Sequence, residues 1–193
     1  MTITGIESYR AISLLGHVGI ALLCAGLAGV MSRNNASGAI LVTIVLGAGI
    51  FAVLSMILWI LVLTGLISLP VSQPSTNWHA HEMLFGYASA ALAGFLLTAI
   101  ASWTGRPPVS GRLLMNLFML WVAGRVMMAF GSGLAPVTSA LVDGVFLPVL
   151  LVVVSREIIL GKSWRNLPVC AAVALLAAAN FRAHLEVLLD DIP

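Results

Sequence analysis

Six stretches of about twenty apolar residues follow one another along this chain, and that alone decides what it can fold into. An α-helix rises 1.5 Å per residue, so about 20 residues cross the roughly 30 Å hydrocarbon layer of a bilayer. Within that layer every backbone N–H and C=O must find its partner inside the protein, which leaves helices as the natural form for such runs. Charged residues make up only 8% of the 193 residues, against roughly a quarter in a soluble domain. A surface so poor in charge has no polar coat to offer water, and its solvent is the lipid bilayer. The fold class is therefore all-α: a polytopic membrane helix bundle of about six transmembrane helices. The net charge of +2 is small and its Lys and Arg are scattered, which excludes a nucleic-acid partner.

The runs are expected to give helices over 11–31, 39–69, 79–101, 113–130, 139–160 and 167–189, forming one domain over 1–193. The second is longer than a bilayer needs and must tilt or protrude. Pro70, Pro74 and the small polar residues up to Asn77 read as a loop, and Pro168 is tolerated in a first helical turn. Glu7 and Arg10 precede the first run and no small-residue cleavage pattern follows it, so that run reads as a mature helix, not a cleaved signal. Cys24 and Cys170 lie far apart within apolar runs and make neither a disulfide framework nor a CxxC site.

Loop charges set an orientation. Arg33, Arg106 with Arg112, and Lys162 with Arg165 follow the first, third and fifth helices, while the opposite side carries Arg10 and otherwise loops without Lys or Arg. The positive-inside rule then places both termini outside, in the periplasm if the membrane is a bacterial inner (cytoplasmic) membrane.

Placing the polar residues by depth is the informative step. His17 lies in the first helix near its outer end, and His79, His81 and Glu82 open the third. Arg125 falls late in the fourth, Asp143 early in the fifth, and Asn180, Arg182, His184 and Glu186 late in the sixth. Because successive helices alternate in direction, all of these converge on one layer in the outer part of the bilayer. Ionisable groups at such depth are costly and mark sites of function, whereas the bland alternative is snorkelling to the headgroups. His79 and His81 are about 200° apart around a helix, so regular helix cannot aim both into one cavity. Asn180 and His184 share a helix face, and Arg182 and Glu186 share another. Arg125 and Asp143, on neighbouring antiparallel helices, are expected to pair or to hold a haem propionate jointly. His79, Glu82, Met83, Gly86, Ala90, Ala93 and Gly94 form a stripe of mostly small residues that would admit a helix or a flat cofactor. Imidazoles at matching depth suit haem iron, copper or a proton relay alike.

The stretch Asn77-Trp78-His79-Ala80-His81-Glu82-Met83-Leu84-Phe85-Gly86-Tyr87 carries a specific resemblance. With Trp103-Thr104-Gly105-Arg106-Pro107-Pro108, Leu120 to Arg125, Trp164 to Val169, and Asn180 with His184-Leu185-Glu186, it resembles the NnrS family. That family comprises bacterial inner-membrane proteins associated with nitric oxide metabolism and nitrosative stress, and reported to carry haem and copper. The resemblance implies metal ligation by His79 and His81, with His184 as a further ligand and haem b or copper as the cofactor. Two features depart from the family pattern. Family members have about twelve transmembrane segments where this chain has about six, and an additional helix containing His17 precedes the matching region.

Three functions compete at this point. One is a haem- or copper-binding membrane protein of nitric oxide handling, without independent catalytic activity. A second is an accessory subunit of a respiratory membrane complex that keeps the fold but not the metal, with other membrane subunits or a second copy supplying the missing half. A third is a small-ligand or proton transporter. The lone mid-helix proline, Pro148, has no broken-helix counterpart at the midplane, which counts against the third. No nucleophile–base pair, P-loop or dinucleotide fingerprint is present in the sequence.

Overall fold

The computed structural model of the chain describes residues 44–71, 73–133 and 135–190. Five helices long and apolar enough to cross a membrane lie within them: α1 (Leu46–Leu63), α2 (Ser75–Thr104), α3 (Gly111–Phe130), α4 (Pro136–Leu160) and α5 (Trp164–Leu189). They match the second to sixth expected helices. The expected helix over 11–31, and His17 with it, lies outside the described residues.

The boundaries moved where glycine and proline dictate. The α1 helix stops at Leu63 instead of running to 69, because Gly65 adopts the left-handed conformation (φ +71°) that ends helices. Thr64 helps to close it by donating its hydroxyl to the Ile60 carbonyl at 2.9 Å. The α2 helix begins four residues earlier than expected, at Ser75, with the Trp78 N–H already bonded to the Pro74 carbonyl at 3.0 Å. The α4 helix likewise starts at Pro136, whose ring suits a first helical position. It is interrupted at Val145. Pro148 has no N–H to give the Gly144 carbonyl one turn earlier, which accounts for the irregularity there.

Glu82–Ala88, inside α2, is a π-helical segment. Within it the Gly86 carbonyl, which also accepts from Ser89, takes the Trp121 indole N–H at 2.9 Å. Wide turns of this kind are frequent at functional sites.

Between lipid-exposed surfaces the bundle is held by packing, since lipid tails are as apolar as leucine. Leu96 and Leu97 of α2, Leu114, Leu117 and Phe118 of α3, and Leu147, Leu150, Val154 and Ile158 of α4 are almost wholly buried together. The small-residue stripe of α2 is filled by protein. A Cβ on Gly94 would meet the Val45 and Ile44 side chains, and one on Gly86 would meet Arg125 and Phe51. At these two glycines the space that a flat cofactor would need is taken by side chains. At one end of the bundle Glu157, buried, is held by Arg106 at 2.6 Å and by Arg156 at 2.8 Å. The opposite, polar end carries the histidines.

Candidate metal centre

Six of the polar residues that the sequence places at one depth meet in one buried cluster: His81, Glu82, Arg125, Asp143, Asn180 and His184. Arg125 of α3 is its hub. One terminal nitrogen donates to both oxygens of Glu82, at 3.0 and 2.9 Å, and the other is paired with Oδ1 of Asp143. The expected Arg125–Asp143 pair is thus present. With both terminal nitrogens engaged by carboxylates, the guanidinium is not free to hold a propionate. Glycines make the approach possible. A Cβ on Gly124 would lie 3.2 Å from the Asp143 backbone, and one on Gly86 would lie 2.6 Å from the Arg125 guanidinium. Gly86→Ala is accordingly expected to push Arg125 off Glu82 and to cost about 1–3 kcal/mol, the range for overpacked sites. Thermal unfolding of the purified variant checks this, and an unshifted midpoint would show that the guanidinium relocates freely.

The second face of Asp143 turns to the histidines. His184 Nε2 lies 2.7 Å from Oδ2, and the Asn180 amide donates to the same oxygen at 3.1 Å. His81 Nε2 is 3.0 Å from the Asn180 carbonyl oxygen and 3.6 Å from Asp143 Oδ2. One ligand atom each from His81, Asp143 and His184 therefore falls within 4.8 Å of the others, all three residues being buried. Two imidazoles and one carboxylate are a donor set for a transition-metal ion, and Arg125 and Asn180 hold those side chains in place as the hydrogen-bond partners behind metal ligands do. The Nδ1 atom of His81 and the Nε atom of Arg125 are buried without a hydrogen-bond partner.

A haem does not fit between His81 and His184. Axial imidazole nitrogens each stand about 2 Å from a metal, on opposite sides of the macrocycle, so their ring centroids lie more than about 6 Å apart. Here the centroids are 4.9 Å apart with the rings inclined at 58°, His81 being bonded to Asn180 and His184 to Asp143. The space suits a bare ion.

The other expected site residues lie elsewhere. His79 points away from the cluster, as its angular offset from His81 requires, and stacks on Trp59 of α1 at 4.1 Å and 4°. Arg182 and Glu186 pair with each other at 2.9 Å on the exposed face of α5. Sequence reasoning passed over residues that position the cluster. Trp78, buried, donates its indole N–H to the Met128 carbonyl at 3.2 Å, and Trp121 holds the π-helical turn. Both belong to the motif stretches, which was the available signal.

Compared with known proteins, the chain matches the family model described as "NnrS protein" over residues 43–192. No curated protein and no solved structure matches it. The match takes in all five described helices and every residue of the cluster, and the chain belongs to the NnrS family.

Proposed function

We propose that this protein is a copper-binding membrane protein of nitric oxide handling, and that His81, Asp143 and His184 hold the ion. One observation carries the proposal: three metal-ligating side chains from three different helices converge within 4.8 Å in a buried layer. Buried ionisable groups in a membrane protein are kept for function, and an imidazole-rich set suits copper. When bound, copper would supply one-electron redox chemistry toward a small nitrogen oxide. The chain's own residues have separable tasks. His81 and His184 offer nitrogens, Asp143 offers Oδ2 while Arg125 restrains Oδ1, Asn180 orients His81, and Glu82 anchors Arg125. Titrating the purified protein with copper(I), followed by elemental analysis, tests the assignment. One ion per chain is expected. A wild-type protein that retains none would instead favour the accessory-subunit function, with the cluster a structural ion network.

The membrane is proposed to be the bacterial inner membrane, with the histidine layer on its periplasmic side. Thr76→Cys, in a background lacking Cys24 and Cys170, is expected to react with an impermeant thiol reagent in intact cells, and Ser110→Cys only after lysis. Both positions are solvent-exposed. The reverse pattern would place the histidines at the cytoplasmic face.

A further inference from the structure

A narrow cleft opens at the polar end of the bundle and reaches both imidazoles. Gln73, from the connector between α1 and α2, lies on its rim. Met128 lines it from the end of α3, Ser132 from the turn that follows, Ala140 from the start of α4 and Ala183 from α5, and His81 and His184 close it. It has room for about one water-sized guest. We propose that this cleft is the entrance by which a soft monovalent cation of the copper(I) kind reaches the cluster, and that Met128 is the side chain that selects it. The proposal rests on the metal-binding function above and adds a route and a selectivity residue to it.

Three observations carry it. The first is enclosure. Trp78, Glu82 and Asp143 are each at most 2% exposed, and Arg125 is buried above the apolar core, so those residues close the sides of the cluster that do not face the cleft. The second is the chemistry of the lining. Among the described residues, Gln73, Met128, Ser132, Ser139 and five apolar residues line the cleft beside the imidazoles, with no Lys, Arg, Asp or Glu. Such groups compensate a strongly hydrated divalent ion poorly, whereas a thioether sulfur favours copper(I) and imidazole accepts it among other metals. Met128 is 2% exposed and its turn is fixed, because its carbonyl accepts from the Trp78 indole and from the Ser132 hydroxyl, each at 3.2 Å. The third is charge. Glu82 and Asp143 bring two carboxylates against the single guanidinium of Arg125, an excess of one acidic group that draws a cation to the cluster. The small side chains of Ala140 and Ala183 keep the way open.

The test uses the full chain in detergent, with copper(I) delivered from a coloured copper(I) chelator and uptake followed by stopped flow. Ala140→Leu narrows the cleft without touching a ligand, and uptake is expected to slow about tenfold while the final stoichiometry stays the same. Met128→Leu keeps the volume and removes the sulfur. Its copper(I)-over-zinc(II) preference is expected to fall about tenfold. Wild-type uptake rates in Ala140→Leu together with an unchanged preference in Met128→Leu would overturn the proposal. A second measurement needs no metal. In a background lacking Cys24 and Cys170, the Ala183→Cys thiol is expected to react with a small charged methanethiosulfonate, about tenfold more slowly once Ala140→Leu is added. An unreactive thiol overturns the entrance. A reactive thiol with that dependence, in a protein that takes up no copper(I), leaves the entrance standing and removes the metal-binding function.

Discussion

Arg125→Gln is expected to destabilise the bundle by about 3–5 kcal/mol, the cost of stripping a buried ionic network of one partner. In the native protein this guanidinium serves both Glu82 and Asp143, each only 1% exposed at the side chain. Removing it leaves two carboxylates facing each other across a layer with little water to solvate them. Glutamine is shorter than arginine, so part of the loss is packing, and neutralising the carboxylates separates the charge contribution. Neutralising the carboxylates in the same background, with Glu82→Gln and Asp143→Asn, is expected to recover most of the loss, because amides can bond to one another without a counter-charge. Asp143→Asn alone is expected to cost less than Arg125→Gln, since the guanidinium still has Glu82. Denaturant unfolding in mixed micelles measures all of these. Simple additivity of the three changes would mean that the groups act independently, despite their contacts.

His184→Ala is expected to lower copper affinity about 100-fold or more, beyond the 10–100-fold typical of losing a hydrogen-bond partner behind a ligand. It removes one of two imidazoles and leaves Asp143 Oδ2 with only the Asn180 amide and, farther off, His81. Asn180→Ala is expected to fall in that smaller range, because it frees the His81 ring without removing a nitrogen donor. Arg182→Ala is expected to change nothing, since Arg182 pairs with Glu186 on another, exposed face of α5. Metal retained after dialysis, read by elemental analysis and by the visible spectrum of a cobalt(II)-substituted sample, ranks the variants. Equal retention in His184→Ala and wild type would exclude His184 as a ligand. A haem band lost on His184→Ala would mean that the two rings part far enough to admit a macrocycle, against their 4.9 Å contact.

Depth was legible in the sequence; rotation was not. Alternating helix direction is enough to bring Glu82, Arg125, Asp143 and His184 to one level, because residue count converts directly to height at 1.5 Å each. The same count places His79, Arg182 and Glu186 at that level too, yet they face Trp59 or the outside. Only offsets within one helix could be read in advance: His79 from His81, and the Asn180–His184 face from the Arg182–Glu186 face. Which neighbour each faces depends on how the helices pack. Helix ends failed where one residue outweighed a run: Gly65 lies within an apolar stretch, and Pro136 starts a helix that the hydropathy pattern places three residues later. Met128 carries no polar signal, so only its place between Trp78 and the cleft gives it meaning.

The π-helical turn at Glu82–Ala88 sets the rotational phase between the two halves of α2. Beyond it, Ala90, Ala93, Leu96 and Leu97 face the apolar core; before it, Trp78 and His81 face the interior at the polar end. A regular helix advances about 100° per residue. The π turn holds one residue more than a regular turn, so the same residues wound as regular helix would leave the two halves about that angle out of their present phase. The upper half of α2 is thereby aimed independently of the packing below it, as a dial is set on a fixed spindle.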